Sequence, residues 1–201
     1  MTAVACIVEG HSEVVSLPIL LERLNARTTP ERYVTIARPP VRVSKDGFLN
    51  KESDFVRYLR LAAAKVLPGE GVLVLLDADK DCPATRGPEI LERARSVVPD
   101  RRVSVVLANR EYEAWLIAGA GSLARVDRSA DDGRVDPDAV LGAKAWLDRR
   151  MSSGYNTRVD QPRLTSAVDL DAVERDSRSF RKLAREWSRF ADRARGFSGR
   201  A

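Results

Sequence analysis

Cysteine and histidine are scarce in this chain of 201 residues, which carries two of the first and one of the second. Cys6 lies in an apolar stretch and Cys82 in a polar one, with no Cys-x-x-Cys spacing, so a disulfide scaffold and a zinc ribbon are excluded. A single histidine excludes a multi-histidine metal centre. Two unpaired cysteines fit a reduced, cytoplasmic protein. No apolar run approaches the roughly 20 residues that span a bilayer. No basic segment followed by an apolar run opens the chain, so no signal peptide is expected. A Gly-x-x-x-x-Gly-Lys-Ser/Thr loop is also missing, so any dependence on ATP must come from another polypeptide.

What remains is ordinary in amount and informative in order. The length suits one domain, or one domain with an appendage. Net charge is +5 and the pI is near 9.5. Much of that excess falls in the arginine-rich last quarter, as expected of a solvated surface or of a patch that meets phosphates.

Short apolar runs alternate with amphipathic ones. Ala3–Val8 reads as a strand buried on both faces. Glu13–Ala26 reads as a helix with Ser12 as N-cap and Val14, Leu17, Leu21 and Leu24 on one face. Tyr33–Ile36 is a second strand, broken by Pro39-Pro40, with a polar loop to about Ser53. A helix over Asp54–Val66, a strand over Val72–Leu76, a helix from Pro88 to Val97, a strand over Val103–Leu107 and a helix from Tyr112 follow. This predicts an α/β fold: a mainly parallel sheet flanked by helices over residues 1–120, with a mostly helical C-terminal extension, residues 121–201, packed on it. Within the extension, a helix runs from Pro137 to near Met151 and Ser152–Ser166 is irregular. The segment Ser179–Ala194 is helical, with Phe180, Leu183, Trp187, Phe190 and Ala194 on one face. Arg178, Lys182, Arg185, Arg189 and Arg193 form a basic stripe on the other.

Acidic residues close the apolar strands. Glu9 ends the first, followed by Gly10, which permits a tight turn, and by Glu13 one helical turn on. Asp77-Ala78-Asp79 ends the third, and on an extended chain that spacing puts both carboxylates on one side. Glu111 and Glu113 follow the fourth, one expected to face the cluster and the other solvent. In a parallel sheet these acids meet at the carboxyl edge, where open α/β folds build their sites. An oxygen-only set of ionised carboxylates suits Mg2+ or Mn2+. Each acid also has a plainer reading, as a helix N-terminal anion or a turn residue. His11 reads as a surface residue and Trp115 as core. Lys80, beside the Asp-x-Asp, reads first as a solvated loop lysine and second as a phosphate contact.

The ordered acids resemble the Toprim domain of topoisomerases, primases and the nucleases of the overcoming-lysogenization-defect family. Val8-Glu9-Gly10-His11-Ser12-Glu13, Asp77-Ala78-Asp79 and Arg110-Glu111-Tyr112-Glu113-Ala114-Trp115-Leu116 look, more narrowly, like the bacterial DUF4276 family. So do Tyr155-Asn156-Thr157, Asp160-Gln161-Pro162-Arg163-Leu164-Thr165, Asp169-Leu170-Asp171 and Ser177-Arg178-Ser179-Phe180-Arg181-Lys182. The resemblance implies a Toprim-like, Rossmann-like core in which Glu9, Asp77, Asp79 and Glu113 hold Mg2+ or Mn2+, with Glu13 as a further catalytic acid. It implies a nuclease effector of antiphage defence that partners a separate ATPase, with no membrane and with homo-oligomers possible. Lys80 and the basic stripe Arg178, Lys182, Arg185, Arg189 and Arg193 are expected to hold the nucleic-acid backbone. Two rivals stand beside this expectation. One is a non-catalytic subunit that regulates or recruits an ATPase. The other is a small-molecule phosphotransferase or phosphatase, against which the missing glycine-rich loop argues.

Overall fold

A computed structural model of the chain describes residues 2–129 and 135–192. Its centre is a four-stranded sheet of β1 (Thr2–Val8), β2 (Val34–Arg42), β3 (Gly71–Asp77) and β4 (Arg102–Ala108). All pairs are parallel and the order is β2-β1-β3-β4. The central strands β1 and β3 are buried on both faces, which is why they read as unbroken apolar runs.

Alternate residues feed two separate cores. Val4, Cys6, Val8, Leu73 and Leu75 point into one; Ala5, Ile7, Val72, Val74 and Leu76 point into the other. The first core is covered by α1 (His11–Asn25), through Leu17, Leu20, Leu21 and Leu24, and by the C-terminal helix α9, which runs Arg178–Asp192. Phe180, Leu183, Trp187 and Phe190 of α9 are buried there. Each such side chain contributes roughly 1.5–3 kcal/mol when removed from water. The second core is covered by α2 (Lys45–Asn50), α3 (Glu52–Ala63) and α4 (Pro83–Val97), through Phe48, Phe55, Leu59, Ile90 and Ala94. Asn25 pins the first layer together: its amide nitrogen donates to the Val34 carbonyl at 2.9 Å, and its oxygen accepts from Trp187 Nε1 at 2.9 Å.

After β4 come α5 (Glu113–Ala118), α6 (Ala143–Arg150), α7 (Thr157–Ala167) and α8 (Leu170–Asp176). Residues of these helices, including Trp115, Leu147, Leu164 and Val173, share the first core with β1 and α1.

The chain leaves β1 toward β2 on one side and later returns to β3 on the other. The carboxyl ends of β1 and β3 therefore flank the point where the strand order reverses.

The α/β alternation stands, with local corrections. β2 does not stop at Pro39-Pro40. It runs to Arg42, because it is an edge strand and its register shifts between Ala5 and Ile7, taking up the prolines as an irregularity. The expected polar loop to Ser53 contains α2. Ser12 is not the cap of α1; the N-cap is Gly10, with no side-chain cap bond, and Ser12 is buried. α4 starts at Pro83 rather than Pro88. Pro137 opens a turn, and α6 begins only after Gly142, which sits at φ 68°. The stretch read as irregular contains α7, whose N-cap Asn156 accepts from the Arg158 and Val159 backbones. Asp131, Asp132, Arg193 and Ala194 lie outside the described residues.

Candidate functional site

The acids at the strand ends do meet at the carboxyl edge. Glu9 follows β1, and Glu13 stands in the first turn of α1. A Cβ at position 10 would overlap Glu13 Oε2 and lie 3.0 Å from its Cδ. Gly10 therefore leaves room for the Glu13 carboxylate to fold back toward Glu9, which gives the Glu-Gly-x-x-Glu spacing a physical reason. Asp77 is the last residue of β3, and its Oδ1 accepts from the Tyr112 backbone N–H at 2.8 Å. Glu113, the first residue of α5, is 0 % exposed.

Asp77 and Asp79 do not share a face as an extended chain would have them do. Asp79 takes φ 53°, a left-handed conformation, so the chain turns there. Asp77 is drawn toward Tyr112 and α5, whereas the largely exposed Asp79 pairs with Lys45, whose Nζ reaches Asp79 Oδ2 at 2.5 Å and the Asp77 carbonyl at 2.6 Å. Beside them an open cleft of about 770 Å³ is lined by Glu9, Lys45, Asp79, Cys82 and Arg86 among others.

Four further residues, none chosen as a site residue from the sequence, complete the cluster. Lys45 comes from the start of α2. Lys144 of α6 lies 3.1 Å from Glu111 Oε2 and 3.3 Å from Glu113 Oε2. Both glutamates after β4 therefore face the cluster, against the expectation that one would turn to solvent. The Tyr155 hydroxyl donates to Glu113 Oε1 at 3.0 Å. Gln161 Nε2 donates to Glu13 Oε1 at 3.1 Å and to Glu113 Oε1 at 3.2 Å. Tyr155 and Gln161 fall within segments quoted for the family resemblance; Lys45 and Lys144 had no sequence signal.

Six carboxylates thus face two ammonium groups, and the imbalance shows in their acidities. Burial raises the Glu9 carboxyl above its ordinary range; Lys45 opposes this, while Asp79 and Glu13 reinforce it. Burial pushes Asp77 well above the usual carboxylate range, with Glu113 adding to the rise and Lys144 opposing it. Glu113 is also raised by burial, against the pull of Lys144 and the Tyr155 hydrogen bond. For Lys144, burial alone would lower the ammonium, but Glu113, Asp77 and Glu111 more than offset it and hold it above its ordinary value. Burial and the Glu113 carboxylate likewise drive the Tyr155 phenol far up. The cluster is short of positive charge, the condition under which a further cation is stabilising.

Among the described residues, no three acidic, histidine or cysteine side chains stand together closely enough to hold a metal ion as they are. Their donor chemistry nonetheless fits a hard divalent cation. Every candidate ligand is an oxygen; within the described residues Glu9 Oε2 and Glu13 Oε2 are buried without a hydrogen-bond partner, and Glu113 Oε2 has only the 3.3 Å ion pair with Lys144.

The expected nucleic-acid residues divide. Lys80, exposed, adjoins Asp79 in the turn after β3. Arg178 opens α9 next to Ser179, whose hydroxyl accepts from the Asn109 backbone at the end of β4, so it lies at the acidic edge. From there α9 runs to the far edge, where Phe190 meets Arg102 at the start of β4. Lys182 and Arg185 lie along that path, and Arg189, at its far end, is paired with Glu186 at 2.7 Å. The stripe leads away from the acids rather than along them. Arg193 lies outside the described residues. His11 is exposed at the start of α1, and Trp115 is core, donating to Ser179 Oγ at 2.8 Å.

No helix among the described residues is long and apolar enough to cross a membrane. No curated protein and no solved structure matches the chain. One family profile does, described as a domain of unknown function, DUF4276, and it covers residues 8–186, from the end of β1 to the middle of α9. That span includes every acid of the cluster together with Lys45, Lys144, Tyr155 and Gln161, and the chain belongs to the DUF4276 family.

Proposed function

We propose that the protein is a Toprim-like nuclease, dependent on Mg2+ or Mn2+, that hydrolyses nucleic-acid phosphodiester bonds. We further propose that it acts in the cytoplasm as the effector of an antiphage system with a separate ATPase subunit. One observation carries the reading. Acids from three strand ends converge where the strand order reverses, and among the described residues the buried oxygens Glu9 Oε2 and Glu13 Oε2 have no hydrogen-bond partner. Glu9, Asp77, Asp79 and Glu113 would hold the ion. Bound there, it would offset charge on the scissile phosphate and acidify a water.

The chain's own groups supply the rest. Gly10 makes room for Glu13, and Tyr155 and Gln161 hold Glu113. Glu13, in reach of the same edge, is the acid left to accept a proton from the attacking water. Lys80 and Arg178 hold phosphates without reading sequence. Purified protein with Mg2+ or Mn2+ is expected to cut DNA or RNA, and Asp77→Ala to abolish the cut. Cleavage that persists in both Asp77→Ala and Asp79→Ala would overturn the proposal.

A second reading, a non-catalytic Toprim-like subunit of an ATPase complex, has one observation in its favour. Lys45 and Lys144 already compensate part of the acidic charge, and no three acids are gathered for an ion. Calorimetry separates the two. Absence of Mg2+ and Mn2+ binding at millimolar concentration, with tight binding of an ATPase, favours the second.

A further inference from the structure

We infer that Gln161 is a positioning residue, which holds the proton-accepting Glu13 and the cation ligand Glu113 at one spacing. The inference rests on the metal-dependent reading above.

The Gln161 side chain is 0 % exposed. Its amide nitrogen donates to Glu13 Oε1 at 3.1 Å and to Glu113 Oε1 at 3.2 Å. A primary amide has two protons, so each acid takes one and the donor is used up. The two acids come from opposite sides of Asp77. Glu13 rides on α1 after β1, Glu113 opens α5 after β4, and β3 lies between those strands. One side chain from α7 therefore bridges two strand-end acids across the third.

The choice of a neutral amide matters. The buried Glu113 carboxylate and the half-buried Glu13 carboxylate repel when held close, and a shared donor offsets part of that cost. A lysine in the same place would hold them too, but would bring its own charge and compete with a cation. Glutamine fixes the spacing and leaves the negative charge in place. Tyr155 donates to the same Glu113 oxygen at 3.0 Å, so both anchors act on Oε1. Among the described residues Glu13 Oε2 is left buried without a hydrogen-bond partner, and Glu113 Oε2 has only the 3.3 Å ion pair with Lys144. Among the described residues the Gln161 carbonyl is buried without a hydrogen-bond partner, as follows from turning the nitrogen toward two acids.

Gln161→Met keeps the length and volume and removes the donor. Arg163→Ala, on the same helix and outside the cluster, is the control. Mn2+ binding, followed by electron paramagnetic resonance on the whole chain, is expected to weaken about 10–100-fold in Gln161→Met, the range for groups that orient metal ligands. It should stay unchanged in Arg163→Ala. Wild-type affinity in a folded Gln161→Met protein overturns the inference while leaving the metal reading intact. If the unsubstituted protein binds no Mn2+, the metal reading fails and the lock is judged by a stability cycle of Gln161→Met with Glu113→Gln. A coupling of tenfold or more in the unfolding constant then supports the lock, and additivity overturns it.

Discussion

Asp77→Asn should abolish the proposed phosphodiester cleavage and stabilise the protein. The carboxyl of Asp77 is held well above its ordinary range by burial first and by Glu113 second, and Lys144 does not restore it. A carboxyl raised in the fold contributes stability that is fully present below its unfolded value, about 3.9 for aspartate. That contribution is lost as pH rises through the folded value. At neutral pH the native state therefore carries strained charge, about 1.4 kcal/mol for each unit by which the carboxyl is raised. Asparagine removes the charge and keeps an oxygen for the Tyr112 N–H, so the 2.8 Å contact survives. Relief of such sites is commonly worth about 0.5–2 kcal/mol. In a chain of this length each kcal/mol moves Tm by about 2–4 °C, so a rise of about 1–8 °C is expected. Thermal melts in EDTA at pH 8 and at pH 4.5 check it. The gap between variant and parent should be wide at pH 8 and shrink as pH falls, because the buried carboxyl takes up its proton more readily than in the unfolded chain. A variant that melts below the parent at pH 8, or a gap equal at both pH values, refutes the reasoning.

Two other outcomes follow from the same geometry. Lys144→Met leaves Glu113 buried with only Tyr155 and Gln161 beside it. Breaking a buried pair costs about 3–5 kcal/mol, and because the Lys144 side chain is 46 % exposed the expected loss is discounted to about 1–2 kcal/mol. Adding Glu113→Gln should recover most of it in a denaturant melt, and an unchanged melt for Lys144→Met would contradict the ion-pair account. For nucleic-acid binding, Arg178→Gln should reduce the slope of log affinity against log salt by about 0.9 on duplex DNA, the value for one phosphate contact. Arg189→Gln should leave that slope unchanged, since Arg189 sits toward the far edge and pairs with Glu186. Fluorescence anisotropy over a salt series reads both, and equal slopes for the two variants would restore the whole stripe as the contact surface.

What could be read from the chain follows from how each element is buried. β1 and β3 are covered on both faces, so their runs are apolar without interruption, and an acid at the end stands out. α9 lies with one side on the core and the other in water, and its two faces were plain. α7 escaped for the opposite reason. Its buried positions are Asp160, Gln161, Leu164 and Thr165; only Leu164 joins the apolar core, while Gln161 meets the acidic cluster, Asp160 accepts from the Asn156 backbone and Thr165 meets the Tyr112 hydroxyl. A helix packed against a polar site has no apolar period to detect. Pro162 and the surrounding Asn, Thr and Ser then weigh further toward a loop. Lys45 lacks a signal for a different reason: the prolines that an edge strand tolerates read as the end of order. The acids were legible because they interrupt an apolar pattern. Their partners were not, because a residue that serves an acid sits where the pattern is already polar. The helix hardest to see thus supplies the residue that bridges Glu13 and Glu113.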